Sequence, residues 1–462
     1  MEKKYQRSLF IFRRDLRIQD NTGLILALQN SKEVICSFIF TPEQIEHNQY
    51  RSDRCLQFMI ESLEDLQKAL KTKKGKLYLF FGAFESVVLE CIKKLKIDAI
   101  FVNRDYTLYG IKRDKKIESV CKKNQVSFYS TSDALLNPVE NTLKRDGKPY
   151  SIFTPFYRNA SKIEISPTMN NHYNNYYSGP ISFSKESSLY KKILPKRFVQ
   201  AKGGRVAAQK ILKNLKIFSK YSIDREFPCL DKTTHLSAHL KFTTCSIREI
   251  YHAISKQLGK SSELLRSLYW RDFFTCIAFH YPHVFEGAFN RKFNKLKWNN
   301  DKKSFKRWCE GNTGFPIVDA GMRELNQTGF MHNRARMIVA SFLVKDLHIS
   351  WRLGEKYFAK ALIDYDPAVN NGNWQWAAST GCDAQPYFRI FNPWTQSLKI
   401  DPKCLYIKRW VPELADLTYK EIHQWYLEEH HGKCSYPTPM LDHTKESKKT
   451  LKEYKKIASS KN

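Results

Sequence analysis

SLFIF (8–12), VICSFIF (34–40), KLYLFF (76–81), DAIFV (98–102) and VSFY (126–129) punctuate the first 130 residues, with amphipathic stretches between them. Short apolar, β-branched runs that alternate with helical patterns predict parallel strands joined by crossover helices. The clearest of those helices carries Leu56, Ile60, Leu63, Leu66 and Leu70, whose spacing of three and four puts one apolar face against a sheet. No G-x-G-x-x-G follows any of the strands, so the dinucleotide fingerprint of a dehydrogenase is missing. Residues 1–135 are therefore expected to form a doubly wound α/β domain.

Outward from that domain the character changes. Residues 136–200 hold six prolines (Pro138, Pro149, Pro155, Pro167, Pro180 and Pro195), many Asn, Ser and Tyr, and no sustained period. They read as an interdomain linker. From 201 to 443 helical patterns dominate and strand-like runs vanish, which predicts an all-α C-terminal domain. Residues 444–462 offer little to bury and read as a mobile basic tail. All nine tryptophans lie after residue 269. Packing accounts for some of them, and the remainder point to stacking or redox work in the helical half.

Lys and Arg exceed Asp and Glu by 31, which favours a polyanionic partner such as nucleic acid, although a lysine-biased coding sequence contributes to the excess. Eleven cysteines form no C-x-x-C pair and no dense disulfide framework, so reduced thiols and no metal site are expected. The N-terminus is charged from residue 2, and no apolar run approaches the ~20 residues of a membrane span. An intracellular protein, cytoplasmic or nuclear, is the expectation.

Three constellations carry chemistry. In 364-DYDPAVNNGNWQW-376, carboxylates and amides can hydrogen-bond the edge of a heterocycle, and Trp can stack on it or exchange an electron with it. The same residues also suit a polar turn followed by a core helix. In 330-FMHNRARM-337, Arg334 and Arg336 stand beside Asn333, able to pair with a buried carboxylate or grip a phosphate, or simply to form a solvated face. In 233-TTHLS-237, hydroxyls and backbone N–H groups could hold a diphosphate, or act as an ordinary helix cap.

With FIFRRDLRIQDN (10–21), NRDYT (103–107), YSIDREFP (221–228), WRDFF (270–274) and the long run 311–358, these stretches resemble the photolyase/cryptochrome family. The likeness is to the microbial-type (class I) cyclobutane pyrimidine dimer DNA photolyases in particular. The resemblance implies an N-terminal α/β domain with a possible antenna site, and a helical domain that binds FAD and lesion DNA. It implies a light-driven lyase in which reduced FAD (FADH–) donates an electron to a pyrimidine dimer, acting as a monomer.

Position by position, the resemblance places Tyr221, Thr233, Thr234, Leu236 and Ser237 at the FAD phosphates. Arg271, Asn333, Arg336, Asp364, Asp366 and Asn370 would surround the flavin, with Asn370 at its N5 and Asp364 paired to Arg336. Trp374, Trp351 and Trp298 match the electron-transfer tryptophans. Trp270, Trp376 and Met337 match the dimer pocket, beside Asn333 and Arg334. Ser267 stands where repair enzymes usually carry Glu, and Thr243 where Gly is common. Tyr109 and Gly110 replace the Asn-Glu pair that holds a folate in many relatives, which leaves a folate, a deazaflavin, a flavin or no second chromophore. A cryptochrome-type photoreceptor, and a basic module that only stacks on DNA, are the competing readings.

Overall fold

The computed structural model describes residues 3–194 and 202–459, so the end of the expected linker (195–200) and of the expected tail (460–462) lie outside the described residues. Five strands, β1 (Tyr5–Phe12), β2 (Ser31–Phe40), β3 (Leu77–Phe81), β4 (Ala99–Asn103) and β5 (Ser127–Thr131), form a fully parallel sheet in the order β3-β2-β1-β4-β5. Interior strands of such a sheet are covered on both faces, which is why their sequences are continuous apolar runs. Helices α1 (Thr22–Asn30), α2 (Asp53–Thr72), α3 (Phe84–Leu95) and α4 (Leu108–Lys123) make the crossovers. In α2 the five residues picked out by spacing are all buried, and the Ser52 side chain caps the helix by accepting from the Cys55 N–H.

The described chain divides into two compact units whose borders differ from the change in composition near residue 200. One takes in the chain up to Tyr150, Thr154–Ser219 and Thr234–Phe279; the other comprises Ser151–Phe153, Lys220–Thr233 and the chain from His280 onward. Helices α5 (Ile247–Leu258) and nearly all of α6 (Glu263–His280) thus belong with the sheet. The reason is polar. Arg17 and Arg248 both donate to the buried Asp133, while Gly203, Gly204 and Arg205 donate backbone N–H groups to Glu61, Ser62 and Asp65 of α2. Such long-range pairs leave no hydrophobic period for a sequence scan to detect. Thr243 takes φ 35°, the left-handed backbone that favours glycine.

The second unit is helical, with α7 (Pro316–Thr328), α8 (Asn333–Ser341), α9 (Trp351–Ala361) and α10 (Pro367–Ala377) around a core that includes Trp308, Met322, Phe342 and Trp374. Helix α8 passes into one turn of π-helix over Phe342–Asp346. The expected tail is not a tail: His443–Ser459 form a helix, α11, with His443, Thr450 and Tyr454 buried. His443 pairs with Asp346 at 2.5 Å, the Thr450 hydroxyl donates to the Lys345 carbonyl, and the Tyr454 hydroxyl donates to the Ala378 carbonyl at 2.8 Å. Polar anchors hold the helix, so its low hydrophobicity misled. Among the described residues, no helix is long and apolar enough to cross a membrane.

Candidate functional site

In the helical unit, Arg336 of α8 donates from Nη2 to Asp364 at 2.9 Å and from Nε to the Met331 carbonyl at 2.7 Å. The expected Arg336–Asp364 pair is therefore formed. The second Asp364 oxygen, Oδ1, is buried and meets no hydrogen-bond partner among the described residues. An acceptor left in that condition costs roughly 1–3 kcal/mol unless something donates to it. Asn333 and Met337, one turn apart on α8, touch through Nδ2 and Sδ at 3.8 Å. Arg334 turns elsewhere and forms an ion pair with Glu226.

Asp366 closes the N-terminus of α10 by accepting from the Ala368 and Val369 N–H groups at 3.0 and 3.2 Å. The cap sets the phase of everything after it. Buried Asn370 donates from Nδ2 to the Glu355 carbonyl at 3.1 Å, which fixes the amide with Oδ1 as the end left to accept. The neighbouring Asn371 donates to the Val284 carbonyl and to Glu355 Oε1 at 3.0 Å. Burial pushes the Glu355 carboxyl up to about 7, only partly opposed by the Asn371 hydrogen bond and by Arg352.

Trp374 and Trp351 are buried, 2% and 3% exposed, whereas Trp298 is half-buried. Trp374 packs on Gly354, one turn beyond Trp351 on α9; a Cβ at 354 would collide with the indole. The Trp374 ring also meets Phe358 at 4.9 Å and Trp308 at 6.2 Å between centroids. Trp376, two residues on, is half-buried against the same core. Tyr221 opens a single helical turn, with the Arg225 guanidinium 5.6 Å from its ring centroid.

In the sheet unit, Trp270 of α6 packs on Phe273 and Phe274 at 5.7 and 5.5 Å. Ser267, three residues earlier, is exposed and donates its hydroxyl to the Glu263 carbonyl at 3.0 Å. Arg271 donates to the carbonyls of Ala134 (2.7 Å) and Leu240 (3.4 Å). The Thr234 hydroxyl accepts from the Leu236 N–H at 3.4 Å, ahead of a helix of only six residues, Leu236–Lys241, in which Ser237 is exposed. The border between the units falls between Thr233 and Thr234.

Residues 264–456 match the family described as the FAD binding domain of DNA photolyase, and residues 8–171 match DNA photolyase. A deoxyribodipyrimidine photo-lyase from Alkalihalophilus pseudofirmus is 35% identical over 469 residues, covering 96% of this chain and 97% of its own. The chain belongs to the DNA photolyase family. Among solved structures of this photolyase/cryptochrome fold, the archaeal photolyase from Sulfolobus tokodaii with two FAD molecules matches with TM-score 0.88 and 41% identity, covering 98% of this chain and 100% of its own. A Synechocystis sp. PCC6803 cryptochrome matches with TM-score 0.85 and 27% identity, covering 98% and 99%.

Three further contributors leave little signal in the sequence. Gly354 gives the Trp374 indole its seat, and one glycine inside a helical run is too weak a signal to find. Glu355 anchors Asn370 through its backbone and Asn371 through its side chain, a role no spacing announces. Trp308, fully buried among Phe305, Tyr357, Phe358 and Trp374, donates its indole N–H to the Val339 carbonyl at 3.0 Å.

Proposed function

We propose that the chain is a light-driven deoxyribodipyrimidine photo-lyase that splits cyclobutane pyrimidine dimers in DNA. The observation that carries this reading is the 35% identity to a named photo-lyase across nearly the whole of both chains. When bound and reduced, FAD supplies an electron donor that blue or near-UV light makes strong. The residues present fit that group. The unpartnered Asp364 oxygen is an acceptor for a heterocyclic N–H, and Arg336 orients the carboxylate through its other oxygen.

Asn370, its amide orientation fixed, would accept at the flavin N5, and Asp366 would hold Asn370 in place by capping α10. Arg271 and Asn333 would complete the flavin surroundings; Tyr221, Thr233, Thr234, Leu236 and Ser237 would hold the phosphates. Trp298, Trp351 and Trp374 would carry electrons inward, an order supported by the exposure of Trp298 and the burial of the other two. The α/β unit is the place for a second chromophore. A Cβ at Gly110 would collide with the Asp105 side chain, and Tyr109 and Gly110 in place of an Asn-Glu pair weigh against folate held by such a pair.

Photolyases are among the enzymes that extrude their target nucleotide, and a dimer that stacks and pairs badly costs less to extrude than a normal base. Trp270, Trp376 and Met337 would line the pocket. Arg334 would exchange Glu226 for a phosphate, one of the basic contacts that make DNA affinity fall with salt. Ser267 brings no carboxylate to the dimer, and its hydroxyl is turned back on its own helix, so water is left to bridge the gap. Ser267→Glu is expected to raise the repair yield, read as thymines restored per photon absorbed. The enzyme acts as a monomer, inside the cell where its DNA substrate lies.

Ser267 and the likeness to a cryptochrome favour a second reading, blue-light signalling with the same flavin and tryptophans. Illuminating the reduced protein with an oligonucleotide that carries a single dimer separates the two. Restored thymines are expected; none, with reduced FAD bound, would leave signalling as the function.

A further inference from the structure

Trp298 lies on no helix or strand. It stands in the irregular stretch 296–301, ahead of the helix Lys302–Glu310. The ties from α10 to this part of the chain sit well before it: Asn371 and Gln375 donate to the Val284 carbonyl at 3.1 and 2.9 Å, and the Phe289 N–H donates to Gln375 at 2.8 Å. The half-buried indole packs against two cores, one holding Trp351 and Trp374, the other Phe293, Leu296 and Tyr454. Apolar contact is non-directional, so it gathers the rings without setting their separation.

Two hydrogen bonds supply what packing does not. Immediately after Trp298, the Asn299 N–H donates to the His348 carbonyl at 2.8 Å. Immediately before Trp351, the Ser350 N–H donates to Asn300 Oδ1 at 3.0 Å. Residues 299–300 are thus clipped across 348–350, with one indole adjoining each side of the clip. Asn300 takes φ 50° and His348 φ 54°, left-handed backbone in which both residue types are enriched. Position 300 therefore asks for a left-handed residue that carries an acceptor on a short side chain, and Asn meets both demands. Its side chain is exposed, so its contribution is not core packing. The corner at 348 is held from another side by α11, where Glu446 pairs with the His348 ring at 2.6 Å.

We propose that Asn300 is a positioning residue for electron transfer between Trp298 and Trp351, holding the two indoles in register by clipping 299–300 to 348–350. The inference rests on the reading of these tryptophans as successive electron carriers. In the step itself, Trp298 gives one electron to the Trp351 radical cation; no bond forms or breaks, and the radical cation is left on Trp298. In a reaction between positioned groups, a misplacement of about 1 Å can cost up to ~100-fold in rate.

Two substitutions separate the hydrogen bond from the backbone. Asn300→Gly keeps the left-handed conformation and removes the acceptor, whereas Asn300→Asp keeps both. After a laser flash on the FAD-loaded, oxidised protein, the yield of long-lived tryptophan radical should fall several-fold in Asn300→Gly, because the electron vacancy recombines before it reaches Trp298. Asn300→Asp should retain the wild-type yield. Hydrogen exchange at the Ser350 amide, which needs no light, should quicken in Asn300→Gly and not in Asn300→Asp. Asn392→Ala removes the acceptor for the Trp394 and Thr395 N–H groups at another helix start and should leave both readings unchanged.

A wild-type radical yield in Asn300→Gly would overturn the proposal, and with quickened Ser350 exchange it would mark the bond as structural only. Unchanged Ser350 exchange in Asn300→Gly, or an equal loss of yield in Asn300→Asp or Asn392→Ala, would overturn it as well. Trp298→Phe tests the underlying reading by itself: the long-lived radical should vanish. Its persistence there would bring down the role of Trp298 as a carrier, whatever Asn300 does.

Discussion

Asp133 in the sheet unit and Asp364 in the helical unit are both buried carboxylates that face arginine, yet they are satisfied to different degrees. Asp133 accepts from Arg17 at 2.7 and 2.8 Å, from Arg248 at 3.0 Å and from the Thr22 hydroxyl at 2.9 Å. Burial pushes its carboxyl up, but Arg17 and Arg248 outweigh burial and hold it down to about 2. Asp364 has Arg336 on one oxygen and, among the described residues, no partner on the other. A completed network does structural work, and a half-completed one leaves room for a ligand. Burial alone does not distinguish the two.

The largest effect is expected where the network is complete. Asp133→Ala removes the carboxylate partner of the buried Arg17, leaves Arg248 with Asp20 alone, and should cost about 3–5 kcal/mol, read as a lower denaturant midpoint. Gly354→Ala sharpens the contrast within the helical unit. Its Cβ collides with the Trp374 ring and with Leu343 at 2.6 Å, so overpacking should cost about 1–3 kcal/mol, less ~1 kcal/mol regained in helix propensity. Flavin photoreduction should slow out of proportion to that small loss, because the indole itself is displaced.

Glu355 gives a pH signature of its own. Its folded carboxyl titrates near 7, above the ordinary Glu value, so between about 4.5 and 7 the folded chain binds more protons than the unfolded one. The stability it contributes is present at pH 4.5 and lost as pH rises through 7. Glu355→Gln keeps an acceptor for Asn371 without the titration. Its melting temperature should therefore gain on the wild type between pH 5 and pH 8, by the equivalent of roughly 1–3 kcal/mol. A constant difference across that range would contradict the buried, protonated Glu355.

Much of the fold was legible in one dimension. The strands stand out as short continuous apolar runs and the apolar face of α2 repeats at a period of 3.6, and burial follows both. The Arg336–Asp364 pair was readable only through family resemblance, because 28 residues separate its members. Two things stayed hidden. Helix α11 was read as a tail because His443, Thr450 and Tyr454 hold it by specific hydrogen bonds and not by an apolar stripe. That α5 and most of α6 group by contact with the sheet is hidden too, because polar pairs such as Arg248–Asp133 join distant parts of the chain without a change in composition.

The contrast between the two carboxylates is tested most directly by counting flavin. Asp364→Asn keeps the shape and one acceptor oxygen but gives up the charge. Purified wild-type protein should carry FAD, measured by absorbance of the flavin released on denaturation, and Asp364→Asn should lose most of it with little change in melting temperature. Full flavin occupancy in Asp364→Asn, or a collapse in stability like that of Asp133→Ala, would show that the unpartnered oxygen is not the cofactor's.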